Sequence, residues 1–145
     1  MSTLVEPKVQ AAGRVSQYRL YSKGASEIII ERCTHFLDDN GQVQEMNPNK
    51  REVILGLISE WAQNGLRTFA LGYKDVSDLS SFMSVSETDP ETNLTFIALV
   101  GIKDPLRKGV AEAVLDCKRA GLTVRMVTGD NIQTGMVYSN VVFSD

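Results

Sequence analysis

The sequence predicts an α/β protein in which a small α+β unit is joined to a strand–helix–strand unit. Three observations predict it. Two aromatic-rich segments of alternating polarity, residues 17–23 and 66–73, enclose a strongly one-sided helical pattern. Residues 74–93 then turn to Ser, Asp, Glu, Thr and Pro without a sustained apolar period. Beyond them two apolar runs, 94–102 and 122–127, stand either side of a second helical pattern.

Each element has its own signal. Q-Y-R-L-Y-S-K at 17–23 alternates and reads as a strand. Ile28, Ile29, Cys33 and Phe36 recur at helical spacing and predict a helix carrying Cys33 and His35 near its end. Asp39, Asn40 and Gly41 tolerate the positive φ of a tight turn, so residues 36–37 and 42–44 read as a hairpin. Pro48 suits a helix start, and Asn49 three residues before Glu52 forms a possible capping pair. Ile54, Leu57, Ile58 and Trp61 then mark one core-facing side, with Trp61 read as core, and Gly65 ends the helix. Residues 66–73 form the next strand.

The polar stretch 74–93 predicts a domain boundary, with one part at 1–90 and a second at 91–134. In the second part 94–102 is a strand buried on both faces, stopped by Asp104 and Pro105. Val110, Ala113, Val114 and Cys117 predict a helix ending at Gly121, a common C′ residue. Residues 122–127 then supply a second buried strand, giving a right-handed βαβ unit with a parallel pair.

Composition narrows the function classes. The 145 residues are 43% hydrophobic and 23% charged, which suits one or two small domains. A net charge of −3 offers no electrostatic reason to bind nucleic acid or an anionic membrane. No apolar run approaches the roughly 20 residues that cross a bilayer, and the first seven residues lack the pattern of a signal peptide, so the chain is expected to be soluble without inserting into a membrane. Cys33 and Cys117 lack a second sulfur or histidine at ligand spacing and read as buried thiols of a reducing compartment. No metal site is expected.

In parallel α/β sheets, ligands gather at the carboxyl ends of strands. Two segments fall there, one around Asp104 and Arg107, the other Thr128, Gly129, Asp130 and Asn131. A threonine hydroxyl and a glycine N–H can donate to a phosphoryl oxygen, while Asp130 can orient a water or a basic group. The same four residues also suit an ordinary Asx turn, and spacing alone favours that simpler reading.

Taken together, K-G-A-S-E at 23–27, G-I-K-D-P-L-R at 101–107 and A-G-L-T-V-R-M-V-T-G-D-N at 120–131 resemble the P-type ATPases in order and spacing, most closely the plasma-membrane type of calcium pump. A lone K-G-A or T-G-D would be weak; the ensemble, with Leu66-Arg67-Thr68 between, is specific. The resemblance covers roughly residues 18–134. It implies a partial nucleotide-binding domain joined to an incomplete haloacid-dehalogenase-like phosphorylation domain, on the cytoplasmic side of a membrane protein, with ATP and Mg2+ as cofactors.

Site residues follow from the resemblance. Lys23 would contact nucleotide near the adenine and ribose, and Gly24 would let the backbone come close. Arg67 would reach the phosphates; strand parity places it with Phe69 and Leu71, where a guanidinium wants an anionic partner or an escape to the strand end. Asp104 and Arg107 match the hinge, and Thr128, Gly129 and Asp130 the phosphate-site turn. His35 reads as structural rather than as a base.

Departures from the family pattern matter as much. The phosphorylated aspartate's D-K-T-G-T and the magnesium-holding T-G-D-G-V-N-D are absent from the sequence. No aspartyl-phosphate route is then expected from this chain alone, and ATP affinity should be weak. Asp38 and Asp39 belong to a hairpin turn and Asp75 and Asp78 to the polar stretch, so none replaces the nucleophile. Residues 1–5 resemble the strand that follows the family's adenine-stacking phenylalanine. Residues 135–145 are β-branched and unlike the family's alanine-rich helix, and are read as a divergent tail. Three functions are therefore weighed: a pump segment carrying part of the ATP site; a non-enzymatic module that a full-length pump or its other segments recognise through an open sheet edge; and a small autonomous phosphatase, which the missing nucleophile disfavours.

Overall fold

The computed structural model describes residues 1–6, 18–80, 82, 90–129 and 132–143. Six strands and four helices occur among them: β1 Ser2–Val5, β2 Tyr18–Ala25, α1 Ser26–Glu31, β3 Cys33–Leu37, β4 Val43–Glu45, α2 Pro48–Gln63, β5 Leu66–Val76, β6 Leu94–Lys103, α3 Val110–Arg119 and α4 Ile132–Phe143. The chain divides into two compact units, residues 1–55 with 69–100, and 56–68 with 101–145.

The first unit holds a mixed sheet, in the order β1-β2-β5-β6-β3-β4. β2 is antiparallel to both β1 and β5, with Thr3 opposite Tyr21 and Lys23 opposite Leu71. β3 runs antiparallel to β4 and parallel to β6. Ile29, Ile30, Cys33 and Leu94 are fully buried, and the isoleucine and leucine side chains each contribute about 1.5–3 kcal/mol through burial. Arg51 reaches across from α2 and donates to the carbonyls of Ile30 and Cys33, fastening the end of α1 to the start of β3. Burial pushes the Cys33 thiol up to about 11, against the opposing charge of Arg51.

Here one sequence expectation fails. The helical spacing of Ile28 to Phe36 spans two elements: α1 stops at Glu31, and Cys33 and Phe36 belong to β3, as does the exposed His35. The C-T-H-F-L segment, with its β-branched threonine and its aromatic rings, is a poor helix former. A parallel ladder on β6 decides the matter. The turn at 38–42 is as expected, with Gly41 at φ +73. Asp38 organises it by accepting from the backbone N–H groups of Gln42 and Asn40, each at 2.9 Å, and from Gln44 at 3.2 Å. Asp75 lies within β5 rather than in a linker, paired with Arg19 at 2.6 Å.

Helix α2 starts at Pro48, as the sequence indicates, but its cap is Asn47 rather than Asn49. The Asn47 side chain accepts from the Lys50 N–H at 2.8 Å, while Asn49 is already inside the first turn. Ile54 and Ile58 are buried, Leu57 is exposed and Trp61 is half-buried.

In the second unit, Gly65 takes φ +73 after α2, and Tyr138 of α4 donates to its carbonyl at 3.0 Å. Thr134 likewise donates to the Leu66 carbonyl at 3.2 Å. Gly101 lets Trp61 approach: a Cβ there would lie 3.0 Å from the indole. Helix α3 ends near Gly121, at φ +77, as expected.

The second expected strand is not formed. Residues 122–127 carry no strand pairing, and Leu122 and Val127 are exposed. β6 already has β5 on one side and β3 on the other, so no βαβ unit closes around α3. Cys117, expected buried, is only half so. Residues 135–143, which differ in composition from the family's alanine-rich helix, lie in α4, where the side-chain bonds of Thr134 and Tyr138 anchor a segment of modest propensity.

Candidate functional site

Two cavities, one in each unit, carry several of the residues that the sequence singles out. The first, of about 270 Å³, opens on the sheet between β1, β2 and β5. Its lining includes Thr3, Tyr21, Lys23, Leu71, Gly72 and Ile97. Strand alternation builds it: Tyr21 and Lys23 are two residues apart on β2 and share a face, with Thr3 opposite Tyr21 on β1 and Leu71 opposite Lys23 on β5. Lys23 is exposed and brings a cationic head to a mostly apolar wall. Gly24 lies next along β2; a Cβ there would meet only Ile29, at 3.5 Å, an ordinary contact. Glu91 accepts from the Ser2 hydroxyl and from the Arg32 guanidinium, the latter at 2.6 Å. Ser2 is also bonded to the buried Ser22, at 2.8 Å.

The second cavity, of about 410 Å³, is lined by Arg67, Asp104, Arg107, Thr128 and Tyr138 among others. Arg67 stands 3.8 Å from Asp104, and both side chains are more than half exposed. An exposed pair at that distance stabilises the fold by at most about 1 kcal/mol. Gly129 is exposed and not in the lining, and Asp130 lies outside the described residues. Thr128 thus shares a cavity with Asp104 and Arg107, though not at the ends of two parallel strands as the sequence had suggested. Lys23 and Arg67 belong to different units and line different cavities.

Comparison with known proteins decides what kind of chain carries these features. Residues 1–109 match the family model of the P-type ATPase cytoplasmic domain N. The chain belongs to the P-type ATPases. It is 46% identical over 118 residues to plasma membrane calcium-transporting ATPase 3 of Rattus norvegicus, covering 81% of this chain and 9% of that protein. Over 118 residues it is 49% identical to plasma membrane calcium-transporting ATPase 4 of Bos taurus, covering 81% and 10%. Against the plasma membrane-type calcium-transporting ATPase 10 of Oryza sativa subsp. japonica it is 44% identical over 116 residues, covering 80% and 11%. The chain spans about a tenth of the length of the curated relatives it matches.

Several cavity residues of this P-type ATPase chain carry no motif signal. Tyr21, Leu71, Gly72 and Ile97 line the first cavity, and Tyr138 the second. Tyr21 could have been found from its period-two relation to Lys23. Leu71 required the β2–β5 register, and Tyr138 required α4, neither of which a motif announces. Among the described residues no helix is long and apolar enough to cross a membrane.

Proposed function

We propose that this chain is part of the ATP-binding apparatus of a calcium-transporting P-type ATPase, with the adenosine end of ATP in the cavity beside Lys23. The observation that carries the reading is the meeting of family and geometry: within the matched domain N, the K-G-A lysine stands at an apolar slot. An apolar wall with one cationic side chain at its rim suits a planar base joined to an anionic tail. Mg2+, which the family reading implies, would travel on the triphosphate oxygens.

Arg67, Arg107 and Thr128 in the second cavity are proposed as donors to phosphate oxygens, with Asp104 beside Arg67. Thr128, Gly129 and Asp130 would be the remnant of a phosphate-site turn. Residues beyond 109, outside the matched domain, are assigned to the start of a phosphorylation domain. With D-K-T-G-T and T-G-D-G-V-N-D absent from the sequence, this chain alone has neither nucleophile nor metal carboxylates for phosphoryl transfer, and binding rather than turnover is its contribution.

Titration calorimetry with Mg-ATP tests the reading. Weak binding is expected, and Lys23→Ala should weaken it by about tenfold or more, since a charge-assisted contact is worth about 1.5–3 kcal/mol. Micromolar or tighter binding indifferent to Lys23→Ala would contradict the assignment. Hydrolysis of ATP or acyl phosphate should stay at background; turnover abolished by Thr128→Ala would instead favour an autonomous phosphatase.

A further inference from the structure

The segment that carries Lys23 and Gly24 is fastened at both ends by one carboxylate. Residues 91–94 close the polar stretch. Asn93 takes a left-handed φ of +55, which asparagine tolerates better than most residues. The buried Leu94 then donates its N–H to the Arg32 carbonyl at 3.0 Å, and the Thr92 carbonyl accepts from the Lys74 ammonium at 3.3 Å. With the backbone held so, Glu91 divides its two carboxylate oxygens between two elements. One accepts from the Ser2 hydroxyl of β1, the other from the guanidinium of Arg32, the residue after α1, at 2.6 Å. The Met1 ammonium, 3.7 Å off and largely exposed, adds a weaker attraction. An ionised carboxylate only accepts, so the Ser2 proton is committed to Glu91. The 2.8 Å bond between Ser2 and Ser22 therefore has Ser22 as its donor.

Ser22 is 2% exposed and stands between Tyr21 and Lys23 on β2, its side chain on the face opposite theirs. The run from Ser22 through Ser2 and Glu91 to Arg32 thus starts one residue before Lys23 and ends just beyond α1, clasping the end of β2 and the helix that follows it. We propose that Glu91 is a positioning residue for nucleotide binding, acting through Ser2, Ser22 and Arg32 to fix the strand end from which Lys23 reaches the ligand. Glu91 itself is not in the cavity lining. The Glu91 and Arg32 side chains are only 21% and 32% exposed, so their charge-assisted bond is less screened than a surface ion pair. Bonds in such a run polarise one another, and a contact residue whose support is loose drifts by the ångström that binding feels. The inference rests on the nucleotide reading given above and adds to it the carboxylate that holds its lysine in place.

The test is a 1H–15N titration with Mg-ATP on wild type, Glu91→Ala, the near-isosteric Glu91→Gln, Lys23→Ala and the Glu91→Ala/Lys23→Ala pair, at a temperature where circular dichroism shows each to be folded. Glu91→Ala should weaken ATP about threefold or more, within the range for residues coupled through one network. Glu91→Gln keeps an acceptor but loses the charge, and should fall between Glu91→Ala and wild type. On the Lys23→Ala background, Glu91→Ala should make little further difference. A merely structural carboxylate would lower the melting temperature of Glu91→Ala and leave its ATP affinity at the wild-type value; that result overturns the proposal, as does an equal loss with and without Lys23. If Glu91→Ala fails to fold, Glu91→Gln decides, and wild-type affinity in it overturns the role. ATP binding weakened by Lys23→Ala but indifferent to Glu91 removes Glu91 alone and leaves the nucleotide reading standing. No binding of ATP by wild type overturns both.

Discussion

At the scale of the residue, the same side-chain type acquires different work from its surroundings. Lys23 and Arg67 both end on strands that meet cavities, yet Arg67 already faces Asp104 at 3.8 Å. Asp38 and Asp75 are both carboxylates beside β-structure, but Asp75 clamps an arginine while Asp38 accepts backbone N–H groups in a turn. The Gln42 N–H, above all, holds the Asp38 carboxyl below its ordinary range, helped by Gln44 and Asn40. A depressed folded-state value means that the stabilisation is present above the unfolded value of about 3.9 and is lost as pH falls through the folded value. Asp38→Ala should therefore lower the melting temperature at pH 7, and the gap to wild type should close as pH drops below about 4. Melting curves at both pH values check this; a gap that persists unchanged into acid would show that the turn does not depend on the charge.

Elements were legible in the sequence where one local signal dominated. The alternation of β2, the stripe of α2, the turn at Gly41 and the apolar run of β6 each point to one structure, and each forms. Legibility failed where a distant partner decides. Cys33 and Phe36 satisfy helical spacing as well as a strand, and only the β6 ladder chooses between them. Residues 122–127 have strand composition, but composition does not supply an edge to pair with. The cap of α2 was misplaced by two residues because Asn47 and Asn49 both suit the role, and only the bond to the Lys50 N–H separates them. Asn47→Ala should cost about 0.5–2 kcal/mol in chemical denaturation and Asn49→Ala little. Equal losses would place the helix start elsewhere.

At the scale of the whole molecule, motif signals mark candidate residues but not the surroundings that would give them chemistry. Lys23, Arg67, Asp104, Arg107 and Thr128 carry motif signals, and each lines a cavity. The cavity walls come instead from register, from helix α4 and from residues such as Tyr21, Leu71 and Ile97 that look like ordinary strand positions. The match of residues 1–109 to domain N supplies the family. The proposal beyond it is that the slot beside Lys23 takes the adenosine end of ATP. The most direct test is a 1H–15N correlation spectrum recorded while Mg-ATP is added. Shifts should concentrate on Thr3, Tyr21, Lys23, Gly24, Leu71, Gly72 and Ile97, and should weaken with Lys23→Ala. A spectrum unmoved at millimolar ATP, or shifts gathered away from this cavity and unaffected by Lys23→Ala, would contradict the account.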